Sequence, residues 1–238
     1  DHRDLHSFPT RRSSDLLTIF ALKMKNDVLS SLPFEIEGID IIRTSTTFKD
    51  SIEYTIQETN LYSNNIVWGI SLIKENDYYY VFGYKNIYNN KCLVLSRTKD
   101  FISYEYLNEK GIFSSNIDSL LILKDHFEAE SKIVKKGNFY YIAYTKDSIS
   151  SEIFLIRTDS LLKPFTKEIK IYTCPEHQGN IITYNAKIQD ALSSRDNFVI
   201  SYNVNTLVND EHQYLSIYRP RFIEISIKEI DHEFEKDF

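Results

Sequence analysis

Asn76-Asp-Tyr-Tyr-Tyr-Val-Phe-Gly-Tyr84 recurs as Gly137-Asn-Phe-Tyr-Tyr-Ile-Ala-Tyr-Thr145 and again as Arg195-Asp-Asn-Phe-Val-Ile-Ser-Tyr-Asn203, at offsets of 61 and 58 residues. Each copy opens on a turn signal (Asn-Asp, Gly-Asn, Asp-Asn) and runs into aromatic and β-branched residues, as the second strand of a hairpin does. A strand is predicted before each copy, at 66–74, 129–135 and 182–188, and another after it, at 91–98, 151–158 and 214–219. Arg97, Arg157 and Arg219 recur in the latter at offsets of 60 and 62. With a more polar outer strand at 104–107, 168–172 and 222–228, each unit reads as a four-stranded meander.

Four-stranded antiparallel units at fixed spacing are the signature of a β-propeller, whose blades bury their faces against one another around an axis. The expected fold is therefore all-β, a β-propeller, with blades over about 17–62 (partial), 63–113, 126–176 and 180–228. In the partial blade 17–24 supplies an inner strand, and 36–44 with 51–59 the outer ones. A period near sixty suits a five-bladed ring with long loops, of which about four blades are visible and one lies upstream, so the fragment is read as N-terminally truncated. A β-sandwich or a solenoid is the competing architecture, and three matched hairpins with matched arginines speak against both. No linker or second domain divides 17–238, and 228–238 is a charged tail that either helps to close the ring or frays.

Composition agrees. The 238 residues are 42% hydrophobic and 26% charged with a net charge of −6, and 17 Tyr and 15 Phe favour strands over helices. Six Gly, five Pro and two Cys exclude collagen-like, low-complexity and disulfide-scaffold classes. No apolar run is long enough to span a bilayer, and the acidic balance, without a basic cluster beyond Lys135-Lys136 in the body of the chain, argues against nucleic acid as a partner. Residues 1–16 (DHRDLHSFPTRRSSDL) have no apolar period and resemble the translated end of a short-read sequencing adapter, so they are set aside as non-native. On that reading the true start of the gene, with any signal peptide, is lost.

Side chains at inner-strand starts are the candidates for chemistry. Trp68 beside Gly69 either presents a flat apolar face for sugar rings or packs between blades. Asn185, Asn203 and Asn205 carry both donor and acceptor for sugar hydroxyls, or they cap turns. Tyr184 and Lys187 flank Asn185 on the same predicted strand. In Tyr218-Arg-Pro-Arg-Phe222, Pro220 removes a ladder donor and sets Arg219 and Arg221 on different faces, where one either binds a carboxylate in the channel or joins an inter-blade salt bridge. Cys92 and Cys174 fit two buried thiols or one bridge. His126, His177, His212 and His232 show no metal-ligand spacing, and no metal or cofactor is expected.

Ala129-Glu-Ser-Lys-Ile-Val-Lys-Lys-Gly-Asn-Phe-Tyr-Tyr-Ile-Ala-Tyr144 resembles a blade of glycoside hydrolase family 43, and the resemblance implies that Glu130 is a general acid. Val67-Trp-Gly69, Tyr80-Val-Phe-Gly83, Thr183-Tyr-Asn-Ala-Lys187, Ile200 to Thr206 and Tyr218 to Phe222 resemble bacterial five-bladed propellers of the type labelled domain of unknown function 4185. Such proteins are typically exported, which implies an extracellular or periplasmic location. Glycoside hydrolysis needs two carboxylates about the scissile bond. The repeat offsets carry Glu130 to Gly69 and Ile188, neither acidic, so a partner comes from the missing blade, from a loop residue such as Asp118 or Asp125, or not at all. The function expected is recognition or processing of a carbohydrate at the axial mouth, lined by Trp68, Glu130, Tyr184, Asn185, Lys187, Arg219 and Arg221. The alternative is a non-catalytic binding or scaffold propeller at a cell surface.

Overall fold

The computed structural model describes residues 16–26, 34–45, 54–59, 61–88, 90–206, 208 and 217–236. Among them lie four antiparallel sheets in chain order. The first holds β1 (Leu16–Asn26), β2 (Phe34–Ser45) and β3 (Tyr54–Glu58). The second holds β4 (Ile66–Glu75), β5 (Tyr78–Ile87), β6 (Asn90–Thr98), β7 (Tyr104–Leu107) and the short β8 (Phe113–Ser114). The third holds β9 (Lys132–Lys136), β10 (Phe139–Thr145), β11 (Glu152–Thr158) and β12 (Glu168–Thr173). The fourth holds β13 (Ile181–Ile188), β14 (Asn197–Thr206) and β15 (Arg221–Ser226), after which the chain turns into α1 (Ile227–Glu235).

Each sheet is a meander of consecutive strands, and the first strands of successive sheets are neighbours. Phe20 of β1 lies against Gly69 of β4, the amide of Ile133 in β9 donates to Ser71 Oγ of β4 at 3.0 Å, and the amide of Ala186 in β13 donates to Thr145 Oγ1 at 3.3 Å. This is a β-propeller-type arrangement, in which blade faces rather than blade edges are buried. One apolar core centred on Trp68, Phe82, Leu93 and Phe127 joins the first three sheets. A second, around Tyr141, Leu155, Phe198 and Ile200, joins the third to the fourth.

Hairpin chemistry explains the repeat. Asn76 (φ 51°) and Gly137 (φ 59°) supply the left-handed backbone of the tight β4–β5 and β9–β10 turns. The β13–β14 connection is longer, with Ser193 and Ser194 side chains holding the amides of Val199 and Asn197.

The fourth sheet departs from the expected pattern. Residues 214–216 of the strand expected at 214–219 lie outside the described residues, and 217–219 form a turn. β14 pairs instead with β15, so the strand expected to be outermost is third. Where Tyr80 faces Arg97 and Tyr141 faces Arg157, Val199 faces Glu224. Arg219 is thus not the third repeat arginine: it precedes Pro220, which has no amide to pair. The tail begins as a helix, because Ser226 caps it by accepting from the Glu229 amide and Ile230 with Phe234, four apart, bury against the second core. No helix among the described residues is long and apolar enough to cross a membrane.

Candidate functional site

Strand register places the inner-strand starts in correspondence. Val81, Ile142 and Ile200 hold one position of the repeat and pair with Leu72, Ile133 and Ile188. Three residues upstream of these partners stand Gly69, Glu130 and Asn185. The counterpart of Glu130 in the fourth sheet is therefore Asn185 and not Ile188, because the longer β13–β14 connection shortens the inner-strand offset. Register slips at this level in both flanking sheets, between Trp68 and Ser71 and between Tyr184 and Lys187. Gly69 (φ 93°) and Asn185 (φ 60°) take the left-handed conformation there. At Gly69 the reason is also steric, since a Cβ would stand 2.5 Å from Phe20 Cγ.

Glu130 lies in the segment leading into β9, with its side chain 27% exposed, and accepts from Lys187 Nζ at 3.0 Å across the sheet boundary. Two residues earlier Glu128 is 1% exposed. Its Oε2 accepts from the Thr145 amide at 3.1 Å, and Oε1 has no hydrogen-bond partner. Burial pushes the Glu128 carboxyl well above the usual carboxylate range, with Glu130 adding to the rise, while the Thr145 amide and hydroxyl and the Lys187 ammonium only partly oppose it. Tyr84, buried and within the field of Tyr62 and Glu130, is pushed up to about 12. Tyr184 is also raised, chiefly by burial, with Tyr218 and Glu130 acting in the same sense and side-chain hydrogen bonds to Asn205 and Asn203 opposing. The cluster thus unites Glu130, Tyr184, Asn185 and Lys187 of the expected residues.

Others are placed elsewhere. Trp68 is 1% exposed, its indole 5.6 Å from the Tyr106 ring and packed over Gly83, so of the two readings the packing one describes it. Arg221 is engaged by Glu176 at 3.1 Å, and Tyr202 donates to the same carboxylate at 3.0 Å, so Lys187 and not Arg221 is the cation on Glu130. Arg219 is exposed, its carbonyl accepting from Arg221 Nη1. The other repeat arginines pair separately, Arg97 with Glu105 in its own sheet and Arg157 with Asp231 of α1. Asp118 is exposed after β8, and Asp125 is exposed and paired with Lys124. Cys92 and Cys174 are separate buried thiols, and burial pushes Cys174 up to about 11. Among the described residues no cluster of three potential metal ligands occurs. A broad recess at the start of α1, lined by Arg195, Asp196, Lys228 and His232, lies at the hairpin end of the fourth sheet, away from the strand starts.

Glu128 was the residue the sequence concealed: nothing in Phe127-Glu-Ala-Glu130 says which carboxylate is inside. An unpaired buried polar atom is uncommon and asks for an explanation. Five occur among the described residues, and three of them belong to residues next to the Glu130–Lys187 pair or to Tyr184: Glu128 Oε1, Asn185 Oδ1 and Ser148 Oγ, while Trp68 Nε1 and Tyr104 Oη belong to rings elsewhere. Ser148 belongs here because its neighbour Ile149 bridges to Tyr184.

The same architecture occurs in solved structures. A Bacteroides ovatus protein assigned provisionally as a hydrolase superposes with a TM-score of 0.69 at 17% identity, over 91% of this chain and 60% of its own. A Bombyx mori GH32 β-fructofuranosidase, solved as a mutant in complex with sucrose, gives 0.54 at 13% identity over 90% and 44%. The unmutated form of that enzyme gives 0.55 at 12% identity over the same shares. The chain thus spans less than two thirds of each of these proteins. No curated protein matches its sequence. One family model covers residues 11–228, under a label different from the 4185 type that the motifs resembled, and by that match the chain belongs to the family described as Domain of unknown function (DUF5005).

Proposed function

We propose that the strand-start cluster is the carbohydrate site of a glycoside hydrolase-like propeller, at the mouth of a five-bladed ring, with Glu130 as the acid that meets the glycosidic oxygen. The observation that carries this reading is that two buried polar atoms without a partner, Glu128 Oε1 and Asn185 Oδ1, belong to residues two positions from the partly exposed Glu130–Lys187 pair that joins the two sheets. A fold tolerates such atoms mainly where function asks for them. Asn185 and Lys187 would orient hydroxyls, and Tyr184 would border the ring face. Structural likeness to a β-fructofuranosidase solved with sucrose makes fructosides the first substrates to assay.

The test compares the wild-type chain with Glu130→Gln on a panel of oligosaccharides, following both turnover and binding. Turnover abolished in a variant with an unchanged circular dichroism spectrum supports the acid; turnover that survives rejects it. A second reading, a propeller that binds glycan without cleaving it, is favoured by the strand register. The counterparts of Glu130 are Gly69 and Asn185, and Glu128 is enclosed, so no second exposed carboxylate stands at these positions. Its mark is saturable binding that persists in Glu130→Gln without turnover by either protein.

A further inference from the structure

Glu128 and Glu130 are two ends of one circuit of contacts. Glu128 Oε2 receives the Thr145 amide at 3.1 Å. The Thr145 hydroxyl receives the amide of Ala186 at 3.3 Å, which fixes β13 against β10. Lys187, the next residue along β13, donates to Glu130 at 3.0 Å, and one residue of chain returns from Glu130 to Glu128. All of Glu128 and Thr145 is enclosed, at 1% exposure each, whereas Glu130 and Lys187 sit at the edge of solvent.

We propose that Glu128 is a positioning residue for Glu130, closing this two-sheet circuit so that Lys187 is held on the Glu130 carboxylate. Its neutral form is the one the surroundings accept: it has one amide and one hydroxyl as partners, Oε1 has none, and the Lys187 ammonium offsets its burial only in part. The groups facing it are Lys187 from β13, Glu130 from its own segment and Tyr144 from β10, whose hydroxyl is already given to Glu168. An ionised Glu128 would compete with Glu130 for Lys187 across a low-dielectric seam, and the circuit would loosen.

The inference rests on the proposed role of Glu130 in meeting the ligand, and its test uses no ligand, so each can fail alone. A thermal double-mutant cycle of Glu130→Gln with Lys187→Met measures whether that pair is joined, expected as a non-additive Tm shift of about 2–4 °C. The cycle is repeated in Glu128→Gln, which keeps an acceptor for the Thr145 amide, and in Glu128→Ala, which does not. Coupling retained in Glu128→Gln and lost in Glu128→Ala supports positioning. A merely structural role would lower Tm in Glu128→Ala and leave the coupling intact, which overturns it, as does coupling lost equally in both variants. If Glu128→Ala does not fold, Thr145→Val breaks the next link, and undiminished coupling there is again the overturning result. Carboxyl ¹³C spectra add a direct readout: a Glu128 that ionises within the ordinary glutamate range also rejects the proposal.

Discussion

Lys187 reaches from the fourth sheet to the third and donates to Glu130 Oε2 at 3.0 Å, with side-chain exposures of 16% and 27%. That depth separates it from surface bridges such as Lys25–Glu35, where both partners are 55% exposed. Removing the ammonium leaves Glu130 with a weakened counter-charge and next to Glu128. Lys187→Met is expected to lower stability by about 1–3 kcal/mol in urea denaturation at pH 7. A loss below about 0.5 kcal/mol would class the pair with the screened surface bridges.

Two carboxylates pull stability in opposite directions with pH. Glu168 is partly desolvated, yet hydrogen bonds from Lys146, the Tyr144 hydroxyl and Lys124 hold it below its ordinary value of 4.5. Its stabilisation is present above pH 4.5 and is lost as pH falls through the lower folded value. Burial raises Glu128 instead, so its contribution is complete below pH 4.5 and declines as pH rises toward its folded value. Denaturation midpoints should therefore peak at mildly acid pH. Glu168→Gln is expected to remove about 1–3 kcal/mol at pH 7 and progressively less as pH falls below 4.5, and Glu128→Gln to flatten the decline on the alkaline side. Parallel profiles for all three proteins would contradict both assignments.

Gly69 has two independent reasons to be glycine: φ of 93° and Phe20 Cγ 2.5 Å from where a Cβ would lie. The first penalises any L side chain and the second forces the ring out of the contact between the first two sheets. Gly69→Ala should destabilise by about 2–4 kcal/mol. Gly69→Ala combined with Phe20→Ala should be much less than additive, since the second change vacates the contested space. Additive effects would place the whole penalty in the backbone.

The meanders were legible because a two-residue turn followed by Tyr and Phe leaves few alternatives to a hairpin: β4–β5 and β9–β10 lie where Asn76-Asp and Gly137-Asn put them. The fourth sheet was not, since Pro220 and the cap at Ser226 act through local geometry that the sixty-residue repeat does not encode. The same holds for the site. Glu130 was singled out by a family resemblance and Tyr184, Asn185 and Lys187 by the repeat offset, and the strand register brings these four to one level. Burial decided the rest: the indole of Trp68 and the carboxyl of Glu128 are both 1% exposed, and only tertiary packing tells such residues from their exposed neighbours. The longer β13–β14 connection shifted the correspondence that a simple offset suggested, so that Asn185 and not Ile188 stands level with Glu130.

Asn185 offers a way to separate a folding role from a ligand role. Its φ of 60° is one that glycine adopts freely, and glycine stands at the matching position of the second sheet as Gly69. Asn185→Gly therefore keeps the bulge while deleting Oδ1, a buried acceptor without a partner. Relief of that acceptor is worth about 1–3 kcal/mol, against about 0.5–1 kcal/mol for the added freedom of glycine in the unfolded chain. The expected outcome is a Tm equal to or above wild type. If the amide is kept for a bound hydroxyl, the same variant should bind its saccharide about 3–10-fold more weakly. Higher stability with weaker binding marks Asn185 as a group held unsatisfied for a ligand. Higher stability with unchanged binding reduces it to a bulge residue, and lower stability shows that the side chain supports the fold through contacts other than Oδ1.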